Sequence, residues 1–428
     1  MGRRLIKSFI NTGVALTAMA LAVGCSKSSD TPSVAVVPKT LYVAAGLCNS
    51  GAGITTYSAT TSSRAVTKWS TGTGLFNGTF TDLNVGSNVS VNTVPQAMID
   101  IGDSILLLTE NATTTGDRKI FKIVKNNPGT YITYANDPSA FTAIATHIMR
   151  AMALDVDGTI TFSKSVAGER LNTLGVRINK GGANAYINPA AATASCFTAA
   201  ATDIQGVALM VPFTNMNQGK SVYIHAGNTA ALNRIGIIQR TGLTSGTAAD
   251  CVASSPAGGV SATAHVNAPN LAGPVIFSAT GPALTSMVYI PTPAPAVTTG
   301  KLLVTYSASV NTAFDNNTNF NYGVVSWDIT ETSDTAATIT NPVILFRDES
   351  ILWAPSAITY DATTNSVYVA VGGSPGLVNQ TTQNFGYNIE KFTLDMNTPM
   401  MTRVSINNQP FIVGNSQTKC ISHMAIGN

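Results

Sequence analysis

The sequence predicts an all-β chain folded as a single β-propeller, most simply of six blades of four antiparallel strands. Three observations predict it. A unit of about 60 to 65 residues recurs along the chain. Within it, short alternating apolar segments are punctuated by turn residues, in a chain with 36 Gly and 19 Pro. The two ends of the chain also carry complementary halves of one further unit. Consecutive antiparallel strands in a repeated four-strand unit are what build propeller blades.

The most legible part of each unit is a small residue and an aliphatic one running toward Asp, then a turn, then an apolar strand. Gln96-Ala97-Met98-Ile99-Asp100 precedes Ser104 to Leu108, and Arg150-Ala151-Met152-Ala153-Leu154-Asp155 precedes Thr159 to Phe162. Gln205 to Leu209 precedes Ser221 to Ile224, and Ser356 to Asp361 precedes Ser366 to Ala370. A third strand follows in each: Lys119 to Val124, Leu171 to Ile178, Arg234 to Gln239 and Ile389 to Leu394. A less regular copy runs from Ala283 through Lys301 to Tyr306 and Tyr322 to Ile329.

Leu41-Tyr42-Val43-Ala44-Ala45 reads as a second strand lacking a first, and Ile421 to Ile426 as a first strand lacking a second. Paired, they complete a blade and close the ring without free edges. From Lys39 to Asn428 the count is 428 − 38 = 390 residues, or about 65 for each of six blades. The alternatives are seven blades, with one between Gly242 and Pro282, or a pair of β-sandwiches. The small-aliphatic-x-aliphatic-Asp segment followed by a Val-Tyr-Val strand resembles NHL-like and YVTN-like propellers. That motif is shared by propellers of unrelated function.

The amino terminus carries a different signal. Arg3, Arg4 and Lys7 form a basic n-region, and an apolar run from Val14 to Val23 ends in Ala22-Val23-Gly24-Cys25. This is the pattern of a secretory signal peptide, and the run is shorter than the ~20 residues a membrane span needs. The segment before Cys25 resembles the bacterial lipobox, with Ala22 where the family prefers Leu. The resemblance implies cleavage before Cys25, acylation of its thiol and new amino group, and, with Ser26 and not Asp following, export to the outer membrane. Dual or triple acylation anchors durably where one chain does not. The expected division is a signal peptide over 1–24, a lipidated tether over 25–38 and the propeller over 39–428.

Composition excludes several functions. The chain has 24 Lys+Arg against 21 Asp+Glu and only 11% charged residues, which makes no field for a nucleic acid. Arg3, Arg4 and Lys7 leave with the signal, so the mature chain balances at 24 − 3 = 21 cations against 21 anions. Hydrophobic residues at 44% argue against disorder.

Beyond Cys25 four cysteines remain, which in an oxidising compartment permit three fully paired connectivities. Cys48 follows the second strand of the closing blade and Cys420 precedes its first, so both fall at one end of an antiparallel pair. A Cys48–Cys420 disulfide is expected, leaving Cys196 with Cys251. On the same register Gln96, Arg150, Gln205 and Ser422 begin equivalent innermost strands, and His147, His225 and His423 fall toward that face. With Glu110 and Glu169 in neighbouring loops, these residues form a candidate binding face.

No pair of these histidines has metal-ligand spacing, and Asp155-Val156-Asp157-Gly158 lacks the later ligands of a calcium loop. It reads as a hairpin turn. No Gly-x-Ser-x-Gly elbow, Walker loop or dinucleotide fingerprint occurs, so no catalytic residue, metal or cofactor is expected. Trp69, Trp327 and Trp353 read as blade packing. The expectation is an envelope lipoprotein whose propeller binds a protein or glycan partner without catalysis. The competing expectation is an anchored lyase or hydrolase using the His423, His225, Arg150 and Glu169 face. Oligomeric state is left open.

Overall fold

The structure is a computed structural model that describes residues 39–45, 47–48, 57–58, 65–82, 93–111, 119–128, 131–136, 147–154, 159–166, 173–179, 209–212, 220–225, 234–239, 260–261, 283–292, 299–307, 322–333, 336–348, 350–353, 355–372, 387–415, 418 and 421–427. All named elements are strands. In chain order they are β1 (Thr40–Ala45), β2 (Leu47–Cys48), β3 (Tyr57–Ser58), β4 (Ala65–Ser70), β5 (Phe76–Asp82), β6 (Thr93–Asp100), β7 (Ser104–Asn111), β8 (Lys119–Val124) and β9 (Tyr131–Asn136). Then follow β10 (His147–Leu154), β11 (Thr159–Val166), β12 (Thr173–Asn179), β13 (Leu209–Pro212), β14 (Lys220–His225), β15 (Arg234–Gln239) and β16 (Val260–Ser261). The last are β17 (Ala283–Pro291), β18 (Thr299–Ser307), β19 (Gly323–Ser333), β20 (Ala336–Phe346), β21 (Ala357–Asp361), β22 (Ser366–Val371), β23 (Asn388–Asp395), β24 (Met400–Val404) and β25 (Ile421–Gly427).

The strands assort into antiparallel meanders. Four four-stranded blades are described with side chains in most of their strands: β25-β1-β4-β5, β6-β7-β8-β9 (β9 by its backbone), β17-β18-β19-β20 and β21-β22-β23-β24. Two further sheets, the three-stranded β10-β11-β12 and the four-stranded β13-β14-β15-β16, are described by backbone pairing alone, and β2-β3 is a short hairpin. The all-β propeller is thus as predicted, while four blades so described replace the expected six or seven. The stretch 180–208, where a fourth strand of the three-stranded sheet would fall, and most of 240–282 lie outside the described residues, and only Val260–Ser261 is described in the region considered for a seventh blade.

Ring closure follows the predicted route. β25 pairs with β1 in register, Thr40 opposite Gly427 and Val43 opposite Met424, so the last strand of the chain is the innermost strand of the first blade. The innermost strands then lie against one another in turn: β25 on β6, β6 on β10, β10 on β13, β13 on β17, β17 on β21, and β21 on β25.

The apolar pattern of β1 explains how blades stack. Leu41 through Ala45 are all buried, a continuous apolar run and not an alternation, because both faces of the strand meet another blade. Tyr42 and Ala44 point into a cluster with Met98, Leu107 and Phe121 of the next blade. Leu41 and Val43 join Tyr368, Ala370 and Ile389 on the other side. The β17–β20 and β21–β24 blades meet likewise through Leu303, Val324, Val367, Val369 and Phe392. Trp69, Trp327 and Trp353 are all buried, as blade packing requires.

Among the described residues no helix is long and apolar enough to cross a membrane. The predicted signal and tether, with Cys25, lie outside the described residues.

Candidate functional site

Four innermost strands break register at one equivalent place. The pairing skips Gln96 in β6, Arg150 in β10, Thr285 in β17 and Ser422 in β25. Each is a β-bulge, which bends the strand and re-aims the extra residue. The sequence register that aligned Gln96, Arg150 and Ser422 therefore matches the backbone, and Thr285 joins them. Sequence reasoning missed Thr285 because the copy containing it is irregular.

Serine hydroxyls cross between blades at this end. Ser356 Oγ donates to the Ile421 carbonyl at 3.0 Å, and Ser422 Oγ donates to the Pro95 carbonyl at 2.9 Å. These are equivalent bonds, each reaching the residue that precedes the next blade's bulge position. Ser286 Oγ accepts from the Ile358 amide at 3.1 Å. The Ser422 hydroxyl also lies 3.4 Å from the Ala44 carbonyl.

His423 follows the bulge directly and pairs with Ala44. Its imidazole Nδ1 is sealed from water without a hydrogen-bond partner among the described residues. Burial pushes its pKa down to about 4, so the ring is neutral at physiological pH. No group of three or more His, Cys, Asp or Glu able to hold a metal occurs among the described residues.

The other described candidate residues stand on separate strands. Glu110 lies in β7 opposite Val94. His147 begins β10, and His225 ends β14 opposite Arg234. Glu169, Gln205, Cys196, Cys251 and Cys420 lie outside the described residues. Cys48 ends β2, a strand lying beside β25.

The opposite end of the strands is tied by charge. Asp361, at the end of β21, receives the Thr363 amide at 3.0 Å, the Thr364 hydroxyl at 2.9 Å and the Lys39 ammonium at 3.2 Å. Burial alone would raise its pKa, but these donors together hold it below the usual carboxylate value. Asp100, at the equivalent end of β6, receives the Gly102 amide at 2.7 Å and Lys125 at 2.7 Å. Both are Asx turns closing a hairpin. A β-carbon on Gly427 would collide with this Asp100 carboxylate, so any larger residue there would have to displace the Asp100 side chain and disturb its ion pair with Lys125.

Thr71 is a third tie. Its carbonyl accepts from Tyr368 Oη at 2.9 Å and Lys391 Nζ at 2.8 Å, and its amide donates to the Lys39 carbonyl at 3.1 Å. Burial lowers the Lys391 pKa, and the ammonium sits 4.8 Å from the centroid of the Phe411 ring, a cation–π contact. The buried Glu390 takes a bidentate fork from Arg403, both contacts 2.8 Å. Burial raises the Glu390 pKa and outweighs Arg403 in doing so.

No family model matches the chain. No curated protein matches it. Among solved structures it is similar to hydrazine synthase of Kuenenia stuttgartiensis, at 11% identity over 77% of this chain and 70% of that one, with a TM-score of 0.40. It is similar to a protein from Lactobacillus plantarum, at 9% identity over 92% of this chain and 100% of that one, TM-score 0.34. A third is the GH93 α-L-arabinofuranosidase of Fusarium graminearum, at 11% identity over 75% and 82% of the two chains, TM-score 0.39.

Proposed function

We propose that the protein is an outer-membrane lipoprotein, anchored through acylated Cys25, whose propeller is a non-catalytic binding or scaffold module for an envelope protein or a glycan. In this reading the ring has six blades of the NHL/YVTN-like kind, stapled by Cys48–Cys420, with Cys196–Cys251 as a second disulfide.

One observation carries the binding reading. The inner-strand bulges recur at one register position while their residues differ, Gln96, Arg150, Thr285 and Ser422. Binding groups work best when held on rigid elements, and a bulge is a common means of aiming one residue out of a sheet. In-cell photocrosslinking from position 96 or 150 tests it. A protein or glycan adduct that is lost with Arg150→Glu is the expected result, and no adduct from either position overturns the reading.

The second reading is an anchored lyase or hydrolase using His423, His225, Arg150 and Glu169; the place of His423 directly after the Ser422 bulge supports it. Turnover of a glycan or ester panel that disappears with His423→Ala, while the melting temperature holds, would select it.

A further inference from the structure

The two described hairpins that join an innermost strand to its neighbour, after Asp100 and after Asp361, lie at the end of the ring where the chain enters. Thr40, the first residue of β1, pairs with both Ser70 and Gly427. Asp361 at the β21 hairpin binds Lys39, and Asp100 at the β6 hairpin lies under Gly427. The bulge residues lie at the far end of the same strands.

Of the five exposed large apolar side chains among the described residues, Leu75, Phe76 and Met400 lie at the entry end, and Ile406 and Val413 lie toward the other. Immediately beside Lys39, Thr71 opens a turn in which the Ser70 amide donates to the Leu75 carbonyl at 2.9 Å. Leu75 is 68% exposed, and Phe76 beside it is 46% exposed although it stacks against Trp69. Met400, 41% exposed, pairs with Asp395 beyond Thr393, the partner of Ser366, so it shares that end. Three lysines here are paired with carboxylates: Lys39 with Asp361 at 3.2 Å, Lys125 with Asp100 at 2.7 Å and Lys301 with Asp328 at 2.5 Å.

We propose that this end, through Leu75, Phe76 and Met400, rests on the lipid surface that holds the anchor. The inference depends on the lipidation of Cys25 proposed above. Fourteen residues, 25 to 38, would separate the acylated cysteine from Lys39, a reach of at most ~45 Å. Lys39, the first described residue, accepts from the Thr71 amide at the turn bearing Leu75. An anchor of this length holds the ring at high effective concentration against the bilayer, so a few apolar side chains suffice to orient it, and a charge-balanced rim adds no repulsion from anionic lipid. Gln96, Arg150 and Ser422 would then face away from the bilayer, toward partners.

The test uses the full acylated protein in phospholipid vesicles, with a benzophenone amino acid at position 75, 400 or 413. Val413 is the control, 57% exposed and next to Gly414, whose amide binds Asn388 at the bulge end. Phospholipid adducts at 75 and 400, at least tenfold above those at 413, are expected. Acylated protein giving no lipid adducts at 75 and 400, or equal yields at 413, overturns the orientation alone, as do adducts to a second copy of the chain in their place. An intact mass without acyl groups on Cys25 overturns the anchor and the orientation together.

Discussion

His423 stands on the closing strand at the position that Ala97 holds on its neighbour: each is the first paired residue after an inner-strand bulge. Ala151 and Ser286 hold the same place in β10 and β17. A small side chain is the rule there, and the closing blade alone among these four buries an imidazole.

That difference sets an acid response. The folded pKa of about 4 lies below the ordinary 6.5, so between those values the unfolded chain takes up a proton that the folded one refuses. The cost is absent above pH 6.5, grows as pH falls, and levels off below 4, reaching roughly 3 kcal/mol. Urea unfolding of His423→Ala is expected to show a flatter dependence between pH 6.5 and 4. At pH 7.5 its stability should change by less than about 1 kcal/mol, because the unpartnered buried Nδ1 is removed along with the packing. A variant as acid-sensitive as the natural protein in that window would show that other groups set the response.

Asp361 responds in a lower window. Its folded pKa is held down by Thr363, Thr364 and Lys39, so its contribution is complete above the unfolded value near 3.8 and is lost as pH falls through the folded one. Asp361→Asn leaves Lys39 without its partner and should cost about 2 kcal/mol at pH 7. Below pH 4 the gap between variant and natural protein should close. Melting curves at pH 7 and pH 3 check both statements.

The sequence showed the ring more clearly than its chemistry. The β8 and β15 bounds match their segments outright, because Lys119–Val124 and Arg234–Gln239 are short, Ile-rich stretches with polar ends or interruptions. Closure was readable because β1 and β25 each lack a partner locally. The recurrent Asp of Asp100 and Asp361 was visible as a repeat, but its lysines were not: Lys39 lies 322 positions before Asp361 (361 − 39), and no local pattern encodes such a pairing. The serine bonds were hidden for the same reason, since Ser422 and Pro95 meet only when the ring closes. Of the first-strand segment read over Gln205 to Leu209, only Leu209 falls within the described residues, as the start of Leu209–Pro212.

Those serine bonds can be tested by deletion. Ser356→Ala removes the bond to the Ile421 carbonyl, and Ser422→Ala the bond to the Pro95 carbonyl. Each should cost about 1 kcal/mol, the usual net worth of a hydrogen bond whose acceptor stays in place. The double variant should not be additive, because Ile421 and Ser422 share a peptide and residues in one network couple. Urea midpoints of the single and double variants supply the cycle. Additivity within a few tenths of a kcal/mol would mean that the blades are held independently at these two steps.

The proposed Cys48–Cys420 staple makes the largest quantitative demand. β2 ends at Cys48 and lies beside β25, whose first residue, Ile421, directly follows Cys420. The bond would close a loop of 420 − 48 = 372 residues, and chain entropy assigns such a loop roughly 5 to 6 kcal/mol as an upper figure. Since β25 is also the only strand pairing β1 on its inner side, losing the staple should free the strand that closes the ring. Cys48→Ser is therefore expected to lower the melting temperature and raise hydrogen exchange in Ile421–Gly427 first, while Cys196→Ser leaves that strand protected. Peptide mapping without reductant should yield one peptide pair joining positions 48 and 420. Alkylation of both thiols in the native, unreduced protein would mean that the ring is held by strand pairing and blade packing alone.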